Sequence, residues 1–128
     1  MTAQELRIGN YVLFSEDSTV LEIEEISKNG LGVKNEIEDV WIEIDMFEPI
    51  SLTEKWLIKF GFEYQGGEGY LLEDGGIRIY ASLRNDWMIY NSKHIENSKG
   101  VRYVHELQNL CFALFRKELT LKENNDVN

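Results

Sequence analysis

A short segment near the C-terminus contains residue types that could bind a catalytic metal ion. It reads His105-Glu106-Leu107-Gln108-Asn109, and its first two residues match the start of the zinc-protease motif. That motif needs a second histidine on the same helix face, so that two imidazoles hold the metal while the glutamate acts as a general base. Asn109 stands at that position, and we therefore predict no metal site. His105 lies just past the apolar stripe of its helix, which predicts a position at the helix surface or its boundary.

The motifs of nucleophilic catalysis and of phosphate binding are also missing from the sequence. No Gly-x-Ser-x-Gly is present. The glycine clusters Gly66-Gly67-Glu68-Gly69 and Gly30-Leu31-Gly32 lack the flanking residues of a phosphate-binding loop or a dinucleotide fingerprint, and both predict turns. Cys111 is surrounded by apolar residues, which indicates a core position, and as the single cysteine it excludes an intramolecular disulfide. We therefore predict a non-enzymatic protein without a cofactor.

Charge is distributed unevenly along the chain. The 128 residues include 23 acids and 13 bases, a net charge of −10. Residues 1–50 carry twelve acids and three bases, whereas residues 51–128 carry eleven acids and ten bases. Proteins that bind nucleic acid directly are basic, so this balance argues against such binding and favours a basic protein surface as the partner. The sequence shows no signal peptide and no apolar run of membrane-spanning length, which predicts a cytoplasmic protein without membrane contact.

The segment from Val40 to Phe47 is the strongest candidate for a binding surface. Its apolar and polar residues alternate with the period of a β-strand. A tryptophan among carboxylates is a suitable anchor for a cationic surface. The alternative is that the rest of the chain covers this tryptophan and that the acids form a solvated rim. The predicted binding residues are Asp39, Trp41, Glu43 and Asp45 of this segment, with Glu22 and Glu24 of a neighbouring strand.

A second group of aromatic residues lies further along the chain. Tyr80, Trp87 and Tyr90 are close in sequence to Arg78 and Arg84. Aromatic rings beside guanidinium groups can stack on bases or nucleotides. As an alternative function, this pattern predicts a small nucleotide-like ligand held by Tyr80, Arg84 and Trp87. The competing interpretation is that these rings pack in the core of a sheet.

The elements that must position these residues predict an α+β fold made of two halves. Residues 1–50 predict an acidic, all-β half, either a small SH3-like barrel or a strongly bent sheet. Residues 51–121 predict a short helix capped by Thr53, an antiparallel meander, and a long amphipathic helix from Val101 to about Glu118. Residues 122–128 predict a frayed tail. We expect the two halves to form one compact unit.

Three collinear segments resemble a group of small proteins from Bacteroidetes-type bacteria, their prophages and their phages. They are ELRIGNYV at residues 5–12, EPISLTEKWLIKFGF at residues 48–62, and YVHELQNLCFAL at residues 103–114. The chain departs from that group at Cys111, where an aromatic residue is usual, and at Phe115-Arg116, where Thr-Gly is usual. No activity is known for the group, so the resemblance implies no functional residue.

The resemblance implies an accessory protein of a mobile element, acting in the cytoplasm of a bacterial host. By analogy, a small acidic phage protein could inhibit a host defence nuclease, such as a CRISPR effector, by occupying a surface meant for nucleic acid. Three hypotheses follow from the sequence. The first is an acidic interaction protein, the second is a small-ligand binder, and the third is a phage structural or assembly subunit that forms a homo-oligomer.

Overall fold

A computed structural model describes residues 5–16, 18–27, 31–33, 40–42, 44–67, 69–83, 85–90 and 99–121. Within these residues the fold is α+β, with two five-stranded antiparallel sheets and two helices. Neither helix is long and apolar enough to cross a membrane. The chain divides into two compact units. Unit 1 comprises Met1–Ser51 with Tyr103–Leu110, and unit 2 comprises Leu52–Arg102 with Cys111–Asn128.

Unit 1 contains a sheet whose strands follow the order β4-β3-β2-β1-β5. Each neighbouring pair is antiparallel, and the last strand returns to pair with the first. A short 3-10 helix, Ile44–Met46, separates β4 from β5. The strands are β1 (Tyr11–Phe14), β2 (Thr19–Ile26), β3 (Leu31–Val33), β4 (Val40–Ile42) and β5 (Phe47–Glu48).

The predicted continuous strand from Val40 to Phe47 is wrong. The chain leaves the sheet after Ile42, makes the 3-10 turn, and re-enters it at Phe47 beside β1. The cause is burial, because Phe47 is 5% exposed and packs with Val12 and Ile23 in the core of unit 1. Burying one phenylalanine ring stabilises the fold by about 2–3 kcal/mol, which offsets the strand pairing lost over the four residues between β4 and β5.

A β-bulge bends the centre of this sheet. Between Ile23 and Glu25 the register shifts, so that two steps along β2 match one step along β3. Glu24 is therefore the extra residue of the bulge. Bulges increase the local twist and let a single long strand take part in two differently oriented parts of a sheet.

Unit 2 contains the second sheet and helix α1 (Glu54–Lys59). Its strands follow the order β10-β9-β8-β7-β6. The predicted cap is confirmed, because the Thr53 hydroxyl accepts a hydrogen bond from the backbone N–H of Trp56. Gly61, which follows the helix, has a φ of 102°, a conformation that favours glycine. The strands are β6 (Glu63–Tyr64), β7 (Gly69–Asp74), β8 (Ile77–Leu83), β9 (Trp87–Tyr90) and β10 (Lys99–Val101).

The C-terminal helix is shorter than the predicted one at both ends. Helix α2 covers Val104–Phe115, which is 12 residues. It begins later because Val101 belongs to β10 and pairs with Trp87. It ends earlier because Arg116 turns into the left-handed region, with a φ of 55°. The backbone N–H of Arg116 bonds to the carbonyl of Phe112 at 3.0 Å, which is the single bond of an αL cap, and the backbone N–H of Lys117 bonds to the carbonyl of Cys111.

Candidate functional site

The His105–Asn109 segment forms the first turns of α2, and its amides hold the N-terminal loop of unit 1. The side-chain oxygen of Gln108 accepts a hydrogen bond from the backbone N–H of Tyr11 at 3.0 Å. Its Nε2 donates to the carbonyl of Gly9 at 2.9 Å. Gln108 is fully buried, so these two bonds replace the water that both backbone groups lose on folding.

Asn109 extends this network to the start of the chain. Its Oδ1 accepts from Arg7 Nε at 3.1 Å and from Asn10 Nδ2 at 2.8 Å. Its Nδ2 donates to the carbonyl of Glu5 at 2.9 Å. Asn10 Oδ1 accepts from the backbone N–H of Arg7 at 2.7 Å. These hydrogen bonds join residues 5–11 to residues 108–109, about a hundred residues further along the chain. The polar side chains of the network therefore have a structural role.

His105 is buried, contrary to the predicted surface or boundary position. It is 2% exposed, and its ring stacks on that of Tyr103 with 6.0 Å between centroids. Its Nε2 lies 3.7 Å from Glu5 Oε1, while its Nδ1 is buried without a hydrogen-bond partner in the described part of the chain. Burial lowers the pKa of His105, against a smaller opposing effect of Glu106 and Glu5. A ring so enclosed has no access to a substrate as a general base.

Metal chemistry finds no support in the described residues. They contain no group of three or more His, Cys, Asp or Glu side chains that could hold a metal ion. Cys111 is buried, and burial raises the pKa of its thiol to about 12. Its thiolate fraction at neutral pH is therefore negligible.

The outer face of the unit 1 sheet is the most distinctive surface of that unit. We define the outer face as Leu13, Val20, Glu22 and Glu48; Tyr11 lies on the same side of β1 but is only 9% exposed. Cross-strand register places Leu13 directly opposite both Val20 of β2 and Glu48 of β5. Tyr11 lies opposite Glu22 in the next row on the same side. Alternate residues of the same strands, including Val12 and Phe47, point into the core.

The outer face combines an apolar centre with flanking carboxylates. Val20 is 43% exposed, Leu13 and Glu22 are half-buried, and Glu48 is exposed. From standard strand spacings, Glu22 and Glu48 stand at opposite corners, with their Cα atoms about 12 Å apart. The described residues of unit 1 carry eight carboxylates and only one Lys or Arg, namely Arg7. The described part of unit 1 therefore has a formal charge of 1 − 8 = −7, with His105 neutral.

The predicted binding residues are distributed over several parts of unit 1. Glu22 belongs to the outer face, Glu24 is the exposed extra residue of the bulge, and Asp45 is exposed on the 3-10 helix rather than on a strand. The backbone of Trp41 pairs with Gly32, and the position of its side chain lies outside the described structure. Asp39 and Glu43 also lie outside the described residues.

The sequence reasoning missed Leu13, Val20 and Glu48. Two local features of the sequence predict part of this face. Side chains alternate between the two sides of β1 and β2, and the hairpin between these strands brings Leu13 beside Val20. The return of β5 to pair with β1 has no comparable signal, since the two strands are separated by more than thirty residues. Glu48 could therefore not be placed on this face from the sequence.

The alternative ligand residues do not line one site. Tyr80 pairs with Tyr90 on one side of the unit 2 sheet, whereas Trp87 pairs with Leu83 and points to the other side. Trp87 is 5% exposed, and its indole N–H donates to the carbonyl of Leu52 at 3.1 Å. Its ring also packs edge-on against Tyr70. Arg84 lies outside the described residues.

Comparisons of the chain with protein-family models, with curated proteins and with solved structures find no match. The resemblance to phage and bacterial proteins therefore stays a prediction.

Proposed function

We propose that this chain is a non-enzymatic interaction protein whose outer face in unit 1 binds a basic protein surface. The observation that carries the proposal is the row Val20–Leu13–Glu48 with Glu22 beside it. An exposed apolar centre between carboxylates fits a surface that presents Lys or Arg around an apolar side chain. Glu24 and Asp45 extend the same negative potential around the sheet.

The two parts of the face contribute differently to binding. Each solvent-exposed ion pair contributes about 0.2–1 kcal/mol and is screened by salt. The apolar contact of Leu13 and Val20 contributes about 25 cal/mol for each Å² that the partner covers, with little dependence on salt. The carboxylates therefore raise the association rate and select cationic partners, whereas the apolar centre slows dissociation.

The architecture of unit 1 suits an SH3-like barrel. A bulged β2 shared by two halves of a sheet, a 3-10 turn before β5, and the return of β5 to β1 support this finer assignment. With the sequence resemblance, the proposal extends to an accessory protein of a phage or mobile element in the bacterial cytoplasm. Its partner would be a nucleic-acid-handling protein, such as a defence nuclease, whose phosphate-binding Lys and Arg the carboxylates would occupy.

Affinity purification from a bacterial host lysate tests the proposal. The tagged chain should retain a basic protein at about 50 mM NaCl and release it at about 500 mM NaCl, because the Debye length falls about threefold. The retained protein is then identified by mass, purified, and used in binding measurements with variants of the outer face.

Two matched substitution pairs locate the binding surface. Glu48→Lys should weaken binding roughly tenfold, whereas Glu63→Lys, also an exposed glutamate on a two-residue strand, should leave it unchanged. Val20→Ser should weaken binding more than Ile58→Ser, although the two side chains are 43% and 51% exposed. Equal effects within both pairs would show that the partner does not bind the outer face.

A small-ligand function has less support. It requires Tyr80 and Trp87 in one pocket, and these rings lie on opposite sides of their sheet. A structural or assembly subunit is a further hypothesis, and it predicts that the chain self-associates.

A further inference from the structure

The unit 2 sheet has a second side, opposite to its core, that presents large side chains. The register places Leu71, Tyr80 and Tyr90 in one row across β7, β8 and β9, and Glu63 of β6 continues this row at the edge of the sheet. Glu73 and Arg78 form the neighbouring row on β7 and β8, and Met88 lies beyond the tyrosines. We define the tyrosine face by the six residues on β7, β8 and β9, which are Leu71, Glu73, Arg78, Tyr80, Met88 and Tyr90.

The tyrosine face has the composition of a protein interface. Its four uncharged side chains are all half-buried. The rings of Tyr80 and Tyr90 stack with an interplanar angle of 8° and 5.4 Å between centroids, so both are held in place before any partner arrives. Tyr, Met and Arg are enriched at protein interfaces, and tyrosine provides a large contact area at a low cost in entropy because it has only two side-chain torsions.

The charge of the tyrosine face favours a second copy of the chain. Arg78 Nε lies 2.6 Å from Glu73 Oε2, and the two side chains are 55% and 53% exposed. With the exposed Glu63 at its edge, the face carries two acids and one base, a net charge of −1, whereas the whole chain has a net charge of −10. Two copies repel each other through their acidic surfaces, and a largely uncharged face whose central acid and base are paired is where they can approach at a low electrostatic cost.

We propose that two copies of the chain associate through their tyrosine faces around a two-fold axis. An axis parallel to the strands, running between β7 and β8, exchanges these two strands between the copies. It brings Arg78 of each copy opposite Glu73 of the other, and Leu71 opposite Tyr80. A two-fold interface must be complementary to itself, and a face with one acid and one base on neighbouring strands meets that requirement. The inference is independent of the proposed function.

Sedimentation equilibrium of the full chain between about 5 and about 200 µM tests the proposal. The wild-type chain should show a reversible monomer–dimer equilibrium within this range. Tyr80→Lys should shift the dissociation constant at least tenfold towards monomer. Leu83→Lys is the matched control, because Leu83 lies on the same strand, is 39% exposed, and points to the opposite side. It should leave the equilibrium unchanged, and thermal melts should show that both variants fold.

A charge-swap experiment separates contacts between copies from the pair within one copy. The Arg78→Glu and Glu73→Arg chains should each be monomeric, since like charges would meet across the axis. An equimolar mixture should form a heterodimer, because each acidic face then meets a basic one. A pair acting only within one chain cannot be restored by mixing two chains.

Three outcomes would overturn the proposal. They are a wild-type chain that stays monomeric to about 200 µM, a dimer that Tyr80→Lys leaves intact, and a charge-swap mixture that remains monomeric. If the chain dimerises but Tyr80→Lys has no effect, another surface forms the dimer. If the wild type is monomeric and still binds a basic partner through the outer face, the proposed function stands and this inference fails alone.

Discussion

Removing the buried amide of Gln108 should destabilise the protein severely. In Gln108→Leu, the backbone N–H of Tyr11 and the carbonyl of Gly9 lose partners at 3.0 and 2.9 Å. The buried N–H of Tyr11 left without a partner costs about 1–3 kcal/mol, and the carbonyl of the half-buried Gly9, which can regain water, costs about 1 kcal/mol, so we expect a loss of about 2–4 kcal/mol. A domain of this size has a total stability of about 5–15 kcal/mol, and the melting temperature should fall by about 10 °C or more.

Urea unfolding followed by circular dichroism and tryptophan fluorescence measures this loss. Gln65→Leu is the control, because Gln65 is exposed and its side chain makes one 3.5 Å hydrogen bond to the carbonyl of Glu63. It should change the free energy of unfolding by less than about 0.5 kcal/mol. Gln108→Glu keeps an acceptor for Tyr11, and protonation at low pH should restore a donor for Gly9. A Gln108→Leu chain as stable as the control would refute the reasoning.

Four further effects follow from single residues. Arg116→Gly should stabilise the chain by about 0.5–1 kcal/mol in thermal melts, because Arg116 has a φ of 55°, and Arg116→Ala should give no such gain. His105 has a lowered pKa in the fold, so the unfolded chain binds a proton at this histidine first as the pH falls. The free energy of unfolding should therefore be constant above about pH 7.5 and decline below about pH 6.5. In urea titrations, His105→Phe should lose this part of the decline. Cys111, with a thiol pKa of about 12, should react with iodoacetamide at pH 8 only in urea, and rapid labelling of the native chain would contradict its burial. Thr53→Ala should cost about 1 kcal/mol by removing the cap of α1, and Thr53→Ser should recover most of it.

Features that depend on neighbouring residues could be predicted from the sequence. Thr53 caps α1 as predicted, because the cap, the first turn and Gly61 all lie within ten residues. The turn at Gly75-Gly76 joins β7 to β8 as its glycines indicate, with both residues at positive φ. The α+β class follows from the same local patterns.

Features that depend on distant residues could not be predicted. The break in the Val40–Phe47 segment is caused by burial of Phe47 in a core whose other residues are Leu6 and residues of β1 and β2. In the helical pattern of the sequence, Gln108 resembles a surface residue. It is buried because its side-chain amide bonds to the backbone of Gly9 and Tyr11. Helix α2 starts after Val101 because Val101 belongs to β10, which pairs with β9. Helical periodicity in the sequence does not show this strand pairing.

The most direct test of the central claim is a titration of the isotope-labelled chain followed by its backbone amide resonances. The probe is the basic protein retained from the lysate, or a synthetic peptide that alternates Lys and Leu. We predict that the largest shifts occur at Leu13, Val20, Glu22 and Glu48, and that they diminish as salt is raised. Shifts confined to unit 2, or no shifts at any salt concentration with a folded chain, would contradict the claim that the outer face of unit 1 is the binding surface.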